Sequence, residues 1–305
     1  MSNQFEPNGV LIVNKPEGIT SHDVVGKIRK LYGTRKVGHT GTLDPLATGV
    51  LVILLGRAAK AAEYLVADRK TYRARLTLGL TTDTEDITGK VLTQSNDIPA
   101  VDAVMSACGE FWGKIKQIPP MYSALKVDGK KLYDLAREGI EVERAARDIE
   151  IFRLDCTPTD KANEYELYVE CSSGTYIRTL CADIGARLGC GGVMSALHRV
   201  QAGGFNIENS HTLEELEALD MDARYSLLAP TESLFCELEA VQLPAFYEKL
   251  CRSGCEIYQN KIKTSLNIGT RVRLYSASGE FFALGEVREY ENGTAIKSIK
   301  MFSLE

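Results

Sequence analysis

Apolar residues near the start of the chain follow two different patterns. Gly9–Val13 is a short apolar run that breaks at the Pro and Gly of Lys15–Gly18, which predicts a strand followed by a turn. Apolar residues then recur at helical spacing over Val24–Tyr32, with basic residues largely on the other faces. We therefore expect a helix here, and either Thr20 or Ser21 has the side chain needed to cap it.

The next two apolar segments differ in exposure and frame an irregular stretch. Val50–Leu55 is continuously apolar, which is typical of a strand buried on both faces. Lys70–Leu78 alternates apolar with polar residues, so we expect a half-buried strand with a basic outer face. Gly38–Gly49 contains three glycines and a proline without any apolar period, and this composition between two buried elements predicts a structured loop.

The rest of the chain predicts further helices and strands. Helices are predicted over Pro99–Trp112, Lys131–Glu138, Tyr176–Leu188, Leu213–Leu219 and Ala223–Leu228. A strand pair is predicted over Ile149–Cys156 and Tyr165–Cys171, a proline-centred loop over Gln117–Lys126, and short strands between Gly269 and Met301. This order indicates a mixed α/β or α+β sheet domain over 1–235 and a small β-rich domain over 241–305.

Length and composition exclude several classes of protein. The chain has 305 residues, of which 44% are hydrophobic and 25% are charged, as in folded globular proteins rather than disordered, collagen-like or coiled-coil chains. Its longest aliphatic run, Val50–Leu55, is far too short to span a bilayer. Met1–Val10 lacks the layout of a secretion signal, so we expect a cytoplasmic protein without membrane contact.

The eight cysteines give no sign of a metal site or a disulfide framework. None forms a C-x-x-C pair, and the closest two, Cys251 and Cys255, have no histidine nearby. We interpret them as reduced, mostly buried thiols that bind no metal.

Charge is distributed unevenly along the chain. The net charge is -5, yet Lys27–Arg75 holds eleven Lys or Arg against three acids, whereas Gln201–Leu250 holds two against ten. The first segment has the charge needed to follow a phosphate backbone, and the second does not. The alternative interpretation, solvated faces of helices and strands, stays open on charge alone.

The loop Gly38–Gly49 carries the strongest candidate for chemistry. Asp44 is its only acid, surrounded by Gly and Thr in a basic region, as a rigidly held carboxylate nucleophile requires. The alternative is structural, because Asp44 could cap a short helix that begins at Pro45. His39 could orient the loop or stack on a base, and no second His or Cys stands at metal-ligand spacing.

The segment Gly38–Leu51, GHTGTLDPLATGVL, closely resembles the catalytic motif of the TruB-type bacterial tRNA pseudouridine synthases. Other family motifs are matched, in order, by Lys15–Ser21, Lys70–Arg73, Pro119–Lys126, Gly174–Leu180 and Leu197–Arg199. The resemblance implies an α+β (mixed α/β) catalytic domain with a central mixed or antiparallel sheet flanked by helices. The last 65 residues resemble the family's PUA-like RNA-binding domain in position, size and β pattern.

The resemblance also implies roles for individual residues. Asp44 is implied to be the catalytic nucleophile, Arg178 its partner, and Tyr72 the ring that packs against the target base. A buried partner for Arg178 agrees with its place at a helix start, where an unpaired positive charge would oppose the helix dipole. Further contacts with substrate or loop are implied, beside structural alternatives, for His39, Tyr176, Leu197, Lys15 and Pro16.

The activity implied by the resemblance is the isomerisation of uridine 55 in the T loop of tRNA to pseudouridine, on a flipped-out base. The reaction needs no cofactor, and the sequence has neither a G-x-x-x-x-G-K-[ST] loop nor a dinucleotide motif. The T stem-loop is the implied partner, and we expect a monomer that needs no protein partner. Whether Asp44 attacks C1′, attacks C6 or assists proton loss at C2′ stays open.

Three alternative functions fit the sequence less well. The archaeal and eukaryotic relative that modifies guide-selected uridines is expected to be much more basic than this chain. A non-catalytic RNA-binding protein would not require Asp44, Tyr72 and Arg178 together. A cysteine-dependent RNA methyltransferase would need a Gly-rich cofactor loop and a cysteine in the central loop, and neither occurs.

Overall fold

The protein's structure, a computed structural model, describes residues 6–65, 69–123, 125–127 and 129–303. Up to residue 206 its strands are β1 (Gly9–Lys15), β2 (Val37–His39), β3 (Thr48–Leu55), β4 (Lys70–Leu78), β5 (Leu80–Thr82), β6 (Val91–Gln94), β7 (Gly113–Gln117), β8 (Lys126–Val127), β9 (Lys130–Lys131), β10 (Arg147–Pro158), β11 (Glu164–Cys171), β12 (Gly192–Ala202) and β13 (Phe205–Asn206). The α-helices up to residue 226 are α1 (Ser21–Leu31), α2 (Val101–Gly109), α3 (Leu132–Arg137), α4 (Ile177–Leu188), α5 (Leu213–Ala218) and α6 (Met221–Ser226). Short 3₁₀ helices cover Gly56–Tyr64, Ile207–Asn209 and Thr231–Phe235.

Nine strands of the described residues form one large sheet. Its order is β1, β3, β12, β4, β11, β10, β7, while β2 pairs with β3 and β13 pairs with β12. Neighbouring strands are antiparallel except β3 and β12, which run parallel where Thr48–Gly49 meets His198–Arg199. The expected α+β fold with a central mixed sheet is confirmed.

The two faces of this sheet bury different apolar clusters. Leu11 and Leu51 face a large core that also contains α1, α2 and α4. Val10 and Val50, one position earlier in each strand, pack on the opposite face against the 3₁₀ helix Gly56–Tyr64. Burial on both faces explains why β3 is apolar throughout instead of alternating.

A second sheet occupies the end of the chain. It comprises β14 (Glu239–Gln242), β16 (Arg271–Tyr275), β17 (Phe281–Tyr290), β18 (Gly293–Met301) and β15 (Ile257–Tyr258), in that spatial order, with helices α7 (Ala245–Arg252) and α8 (Gln259–Ile262). It has an apolar core of its own, and a smaller cluster of Phe235, Leu284 and Phe302 joins it to Ala61 of the first 3₁₀ helix.

Most predicted elements lie within a few residues of the observed ones, with one central omission. The capping residue of α1 is Thr20, which exchanges bonds with Asp23, whereas Ser21 lies inside the helix. Strand β12 has no counterpart among the predicted elements, because β-bulges at Met194–Ala196 and Arg199–Gln201 interrupt its alternation. Ala124, in the loop predicted over Gln117–Lys126, lies outside the described residues.

Two further expectations concern cysteines and membranes. All eight cysteines are free thiols, and five of them are buried. Within the described ranges, no helix combines the length and the apolar character needed to cross a membrane.

Candidate active site

The loop between β2 and β3 presents Asp44 to solvent from a fixed base. The amide of Ala47 donates to the carbonyl of Asp44 at 3.0 Å, closing a tight turn, and both Leu43 and Ala47 are buried. Ser21 of α1 exchanges two bonds with the Leu43 backbone, at 2.8 and 3.0 Å. The Asp44 side chain nevertheless remains 38% exposed, so a substrate can approach it.

The loop ends at a glycine that no other residue can replace without strain. Gly49 adopts φ +99°, and a Cβ there would stand 2.3 Å from the carbonyl oxygen of Arg199. This close approach allows β3 to pair in parallel with β12 immediately after the loop. The end of the loop is thereby tied to the centre of the sheet.

Arg199 of β12 holds the loop from below. It is 2% exposed, and its guanidinium donates to the carbonyls of Val50 (2.7 Å), Gly41 (3.0 Å) and Thr42 (3.4 Å). Sequence analysis placed Arg199 in a family motif without assigning it to the site. The available signal was a cation in that motif, two residues after the predicted site residue Leu197.

Lys15 closes the other side of the loop. Its buried ammonium donates to the carbonyls of Ile19 (2.7 Å), Pro16 (2.8 Å) and Pro45 (3.3 Å). Burial lowers the pKa of Lys15 to about 8, while the nearby charge of Asp44 opposes that shift. The turn after β1 and the turn after Asp44 therefore share one cation.

Arg178, in the first turn of α4, forms an ion pair with Asp44. Its Nε lies 2.9 Å from Asp44 Oδ2, while its Nη1 donates to the Thr84 carbonyl at 2.9 Å and its Nη2 to the Tyr122 carbonyl at 2.8 Å. The Arg178 side chain is only 5% exposed. A guanidinium with three such partners cannot turn away, so it fixes one edge of the Asp44 carboxylate.

Tyr176 caps the start of α4 and is tied to the edge strand β7. Its amide donates to Gln117 Oε1 at 2.8 Å, and its carbonyl accepts from Gln117 Nε2 at 3.0 Å. Gln117 is buried, whereas Tyr176 is partly exposed. This reciprocal pair sets the position from which Arg178 enters the site.

Tyr72 and Leu197 lie on neighbouring strands beneath the loop. Tyr72 is 7% exposed and stands in register with Arg199, and Leu197 is 8% exposed. Burial raises the pKa of Tyr72, and the charge of Arg199 opposes this rise. Tyr72 therefore offers a neutral phenol with only a small part of its surface open.

His39, at the end of β2, lies beside a second histidine. The centres of its ring and the His22 ring are 5.8 Å apart in an edge-on arrangement. Burial, followed by the charges of His22 and Arg199, lowers the pKa of His39. Its buried Nδ1 finds no hydrogen-bond partner among the described residues, and the lowered pKa favours the neutral form of the ring.

A cavity of about 230 Å³ adjoins the loop over the surface of β4 and β12. Leu46, Thr48, Leu197, His198 and Arg73 contribute to its walls. Thr48 Oγ1 lies 2.8 Å from His198 Nδ1, which links the end of the loop to the cavity wall. The rest of the lining includes the cation Arg75 and the acids Glu17 and Glu166, and Arg75 lies 3.5 Å from Glu166.

Taken together, the geometry provides an accessible carboxylate on a rigid loop with a buried guanidinium at one edge. Such a group can act as a nucleophile or as a base toward a bound substrate. Pro16, the remaining predicted site residue, is partly exposed, and its carbonyl accepts from the Lys15 ammonium. In the part of the chain that the structure describes, no cluster of His, Cys, Asp or Glu is placed to hold a metal ion.

Comparison with known proteins gives a consistent result. Residues 29–177 match the family model described as TruB family pseudouridylate synthase (N terminal domain), and residues 178–236 match the tRNA pseudouridylate synthase B C-terminal domain. Two relatives named tRNA pseudouridine synthase B, from Alkaliphilus oremlandii and Clostridium tetani, are 44% and 41% identical to this chain. The first alignment covers 96% of this chain and 98% of the relative, and the second covers 92% and 95%.

A solved structure extends the likeness to the whole fold. The crystal structure of a Cbf5-Nop10-Gar1 complex contains a chain that superposes with a TM-score of 0.75 at 26% identity, over 97% of this chain and 85% of that one. The chain therefore belongs to the TruB family of pseudouridine synthases, and it is an isomerase that modifies tRNA.

Proposed function

We propose that this enzyme converts the uridine at position 55 in the T loop of tRNA to pseudouridine, with Asp44 as the nucleophile on a flipped-out base. The observation that carries the proposal is the Asp44–Arg178 ion pair, in which the arginine is buried and the aspartate is open to solvent. A helix-capping aspartate would point its oxygens at backbone amides, whereas this carboxylate meets a guanidinium and an open approach.

The proposed reaction exchanges one bond to the sugar for another. The N1–C1′ bond breaks and a C5–C1′ bond forms, while C5 loses a proton and N1 gains one. Atoms and electrons balance within the substrate and water, so no cofactor is required. Arg178 holds the Asp44 carboxylate in one orientation while the base turns.

The surroundings of Asp44 are suited to a base that has left its stack. We assign Tyr72, Tyr176 and Leu197 to the walls that contact the uracil, and His39 to the nucleotides around it. Lys15, Pro16 and Arg199 support the loop through backbone carbonyls. Extracting the base costs about a few kcal/mol, and cations such as the exposed Arg73 offset this cost through phosphate contacts.

Sequence similarity favours an enzyme that selects tRNA by itself over one that uses guide RNA. The Cbf5 chain of the similar structure was solved with Nop10 and Gar1, but it shares only 26% identity with this chain. The relatives named tRNA pseudouridine synthase B share 40 to 50%, several over nearly their full length. We therefore propose a monomer that acts on the T stem-loop without a protein partner.

Asp44→Asn tests the proposal because it removes the charge and keeps the shape. We expect no detectable tritium release from C5-labelled tRNA uridine, with tRNA affinity and the unfolding midpoint close to wild type. Asp220→Asn is the matched control, since Asp220 caps α6 through the Ala223 amide at 2.9 Å. An Asp44→Asn enzyme that isomerises at a substantial part of the wild-type rate would show that Asp44 is structural. Pseudouridine at another tRNA position would overturn the assignment to the T loop.

A further inference from the structure

The turn Thr82–Gly89, between β5 and β6, is rigid through bonds of its own. Asp86 is buried, and its Oδ1 accepts from Thr84 Oγ1 (2.9 Å), the Thr88 amide (2.9 Å) and Thr88 Oγ1 (2.6 Å). Thr82 Oγ1 donates to the Asp86 carbonyl at 2.7 Å. A turn closed in this way holds its other carbonyls in fixed directions.

One of those carbonyls holds the guanidinium of the active site. Thr84 accepts from Arg178 Nη1 at 2.9 Å, on the side of the guanidinium away from Asp44. The next carbonyl, that of Glu85, accepts from the Met194 amide of β12 at 3.1 Å. The turn thus reaches both Arg178 and the central sheet.

Glu85 adopts a backbone conformation that its residue type disfavours. Its φ is +62°, and Lys263 is the other non-glycine residue with positive φ in the described ranges. Glycine would occupy this position without strain, so the backbone alone gives no reason for a glutamate. The side chain supplies one, because Glu85 Oε2 accepts from Thr179 Oγ1 at 2.5 Å.

This contact links the turn to the residue immediately after Arg178. Burial raises the pKa of Glu85, and the charges of Arg178 and Arg144 oppose the rise, so the carboxyl lies in a charged region behind the guanidinium. Asp183 faces the same region one helical turn beyond Thr179, and burial and Glu85 together raise the pKa of Asp183 to about 6. The Glu85 carboxyl is therefore part of a partly buried polar cluster with Thr179 and Asp183.

We propose that Glu85 is a positioning residue for Arg178. Its bond to Thr179 fixes the distance between the turn and the first turn of α4, so that the Thr84 carbonyl holds Nη1 while Nε faces Asp44. The inference rests on the proposed role of the Asp44–Arg178 pair. It assigns to Glu85 no contact with RNA or with the reacting atoms.

Three substitutions at position 85 separate positioning from stability. Glu85→Gly removes the side chain and relieves the backbone strain, whereas Glu85→Ala removes the side chain and keeps the strain. We expect both to lower the single-turnover rate at saturating tRNA about tenfold, with tRNA affinity within about twofold of wild type, although the Gly variant unfolds at a higher urea concentration than the Ala variant. Glu85→Gln, whose amide oxygen still accepts from Thr179, keeps the rate within about threefold.

The controls are Ile87→Thr, an exposed position of the same turn, and Lys263→Gly, which relieves positive φ at a distant site. Both should leave the single-turnover rate unchanged. A wild-type rate in Glu85→Gly, rates that follow stability across the set, or a Gln variant as slow as Ala would each overturn the inference. Asp44→Asn is measured in parallel: activity in that variant would overturn the proposed function, whereas an inactive Asp44→Asn beside a fully active Glu85→Gly would overturn the positioning role alone.

Discussion

At the scale of single residues, buried cations bonded to backbone carbonyls hold the site in place. Lys15, Arg178 and Arg199 are all buried, and together they donate to eight carbonyl oxygens. A buried charge without partners is costly, so each cation strongly favours the loop conformation that supplies its acceptors. For this reason the Asp44 loop can be rigid although it contains three glycines.

Arg178→Lys should separate charge from geometry. An ammonium keeps the positive charge but cannot hold Asp44, Thr84 and Tyr122 at once, so we expect the single-turnover rate to fall by about 100-fold. Arg187→Lys is the matched control on the same helix, because Arg187 forms an exposed two-bond pair with Glu110 at 2.7 and 2.8 Å. Equal rates for the two variants would contradict the role given to Arg178.

Lys15→Met should reveal the lowered pKa of the lysine. The folded-state pKa of about 8 lies below the ordinary value of 10.5, so the unfolded chain binds more protons between these two pH values. The free energy of unfolding therefore gains a favourable contribution as pH rises from 8 to 10, with a slope of at most about 1.4 kcal/mol per pH unit. The Met variant lacks this contribution.

Urea unfolding at pH 7, 8, 9 and 10 measures the effect. At pH 7 the Met variant should already be less stable, because carbonyls that accepted from the ammonium lose their donor. The difference between wild type and Lys15→Met should then widen with pH, whereas the exposed Lys90→Met should show no such trend. A difference that narrows above pH 8 would contradict the buried ammonium.

The sequence alone identified some of the site residues and not others, for physical reasons. Asp44 stood out as the only acid in its loop, whereas Arg178 was assigned through the family resemblance, with which its place at a helix start agrees. Arg199 was not selected although it lies in a family motif, since its function depends on burial against a loop far away in sequence. Whether Tyr72 serves as a core residue or as a contact for the base was likewise undecided, and its 7% exposure leaves it mostly in the core.

At the scale of elements, the site depends on the parallel crossing of β3 and β12. These strands meet only over Thr48–Gly49 and His198–Arg199, directly behind the loop. The crossing places Arg199 under Gly41 and Leu197 beside the cavity. A shift in the register of these two strands would displace the loop, because its Gly41 and Thr42 carbonyls accept hydrogen bonds from Arg199.

Gly49→Ala should therefore lower the free energy of unfolding far more than the addition of a single methyl group suggests. The new methyl group would meet the Arg199 backbone at 2.3 Å in a conformation that disfavours L-residues, so we expect a loss of about 3 kcal/mol in unfolding free energy. Gly26→Ala in α1 is the matched control, since apart from the adjacent residues and the backbone of the helix itself nothing lies within 4 Å of its Cβ position. There we expect a gain of about 0.5–1 kcal/mol by urea unfolding. Equal unfolding free energies of the two variants would show that β12 can shift to accommodate a methyl group at position 49.

Elements with an unbroken period were predictable, and the interrupted one was not. Strand β3 is apolar because both its faces are buried, and α1 has an apolar stripe with a capping residue before it. In β12 two bulges shift the alternation, and an arginine occupies a buried position. Its identity as a central strand depends on contacts with β3 and β4, which no local period records.

At the scale of the molecule, the acidic and basic segments, which are separate in the sequence, are packed together. The acidic segment lies against the start of the basic one, because Glu217 of α5 is 4.0 Å from Lys27 and Arg224 of α6 donates to the Leu31 carbonyl at 3.0 Å. Part of the positive charge of α1 is thus offset within the protein. Exposed cations of β4, such as Arg73, remain beside the cavity near Asp44.

The C-terminal sheet is fastened to the 3₁₀ helix Gly56–Tyr64. Tyr64 Oη donates to the Ile299 carbonyl at 3.2 Å, and Lys300 forms an ion pair with Glu63. Arg288 and Lys297 line an open cleft of about 400 Å³ at this junction, together with Arg271 and with Glu286, which pairs with both arginines. A phosphate bound there would add affinity for whole tRNA at a position separate from the Asp44 loop.

The double substitution Arg288→Gln and Lys297→Gln tests, in the full chain, whether the C-terminal sheet adds tRNA affinity without a part in the reaction. We expect weaker tRNA binding and a log–log salt dependence flatter by about 0.7–0.9 for each phosphate that the variant no longer neutralises. The single-turnover rate at saturating tRNA should stay at the wild-type value, since neither residue touches the loop that carries Asp44. Lys114→Gln with Lys116→Gln, two exposed positions on the edge strand β7, is the matched control and should leave the salt slope unchanged. Normal affinity with a reduced rate in the first pair would place a chemical role in the C-terminal sheet and contradict this assignment.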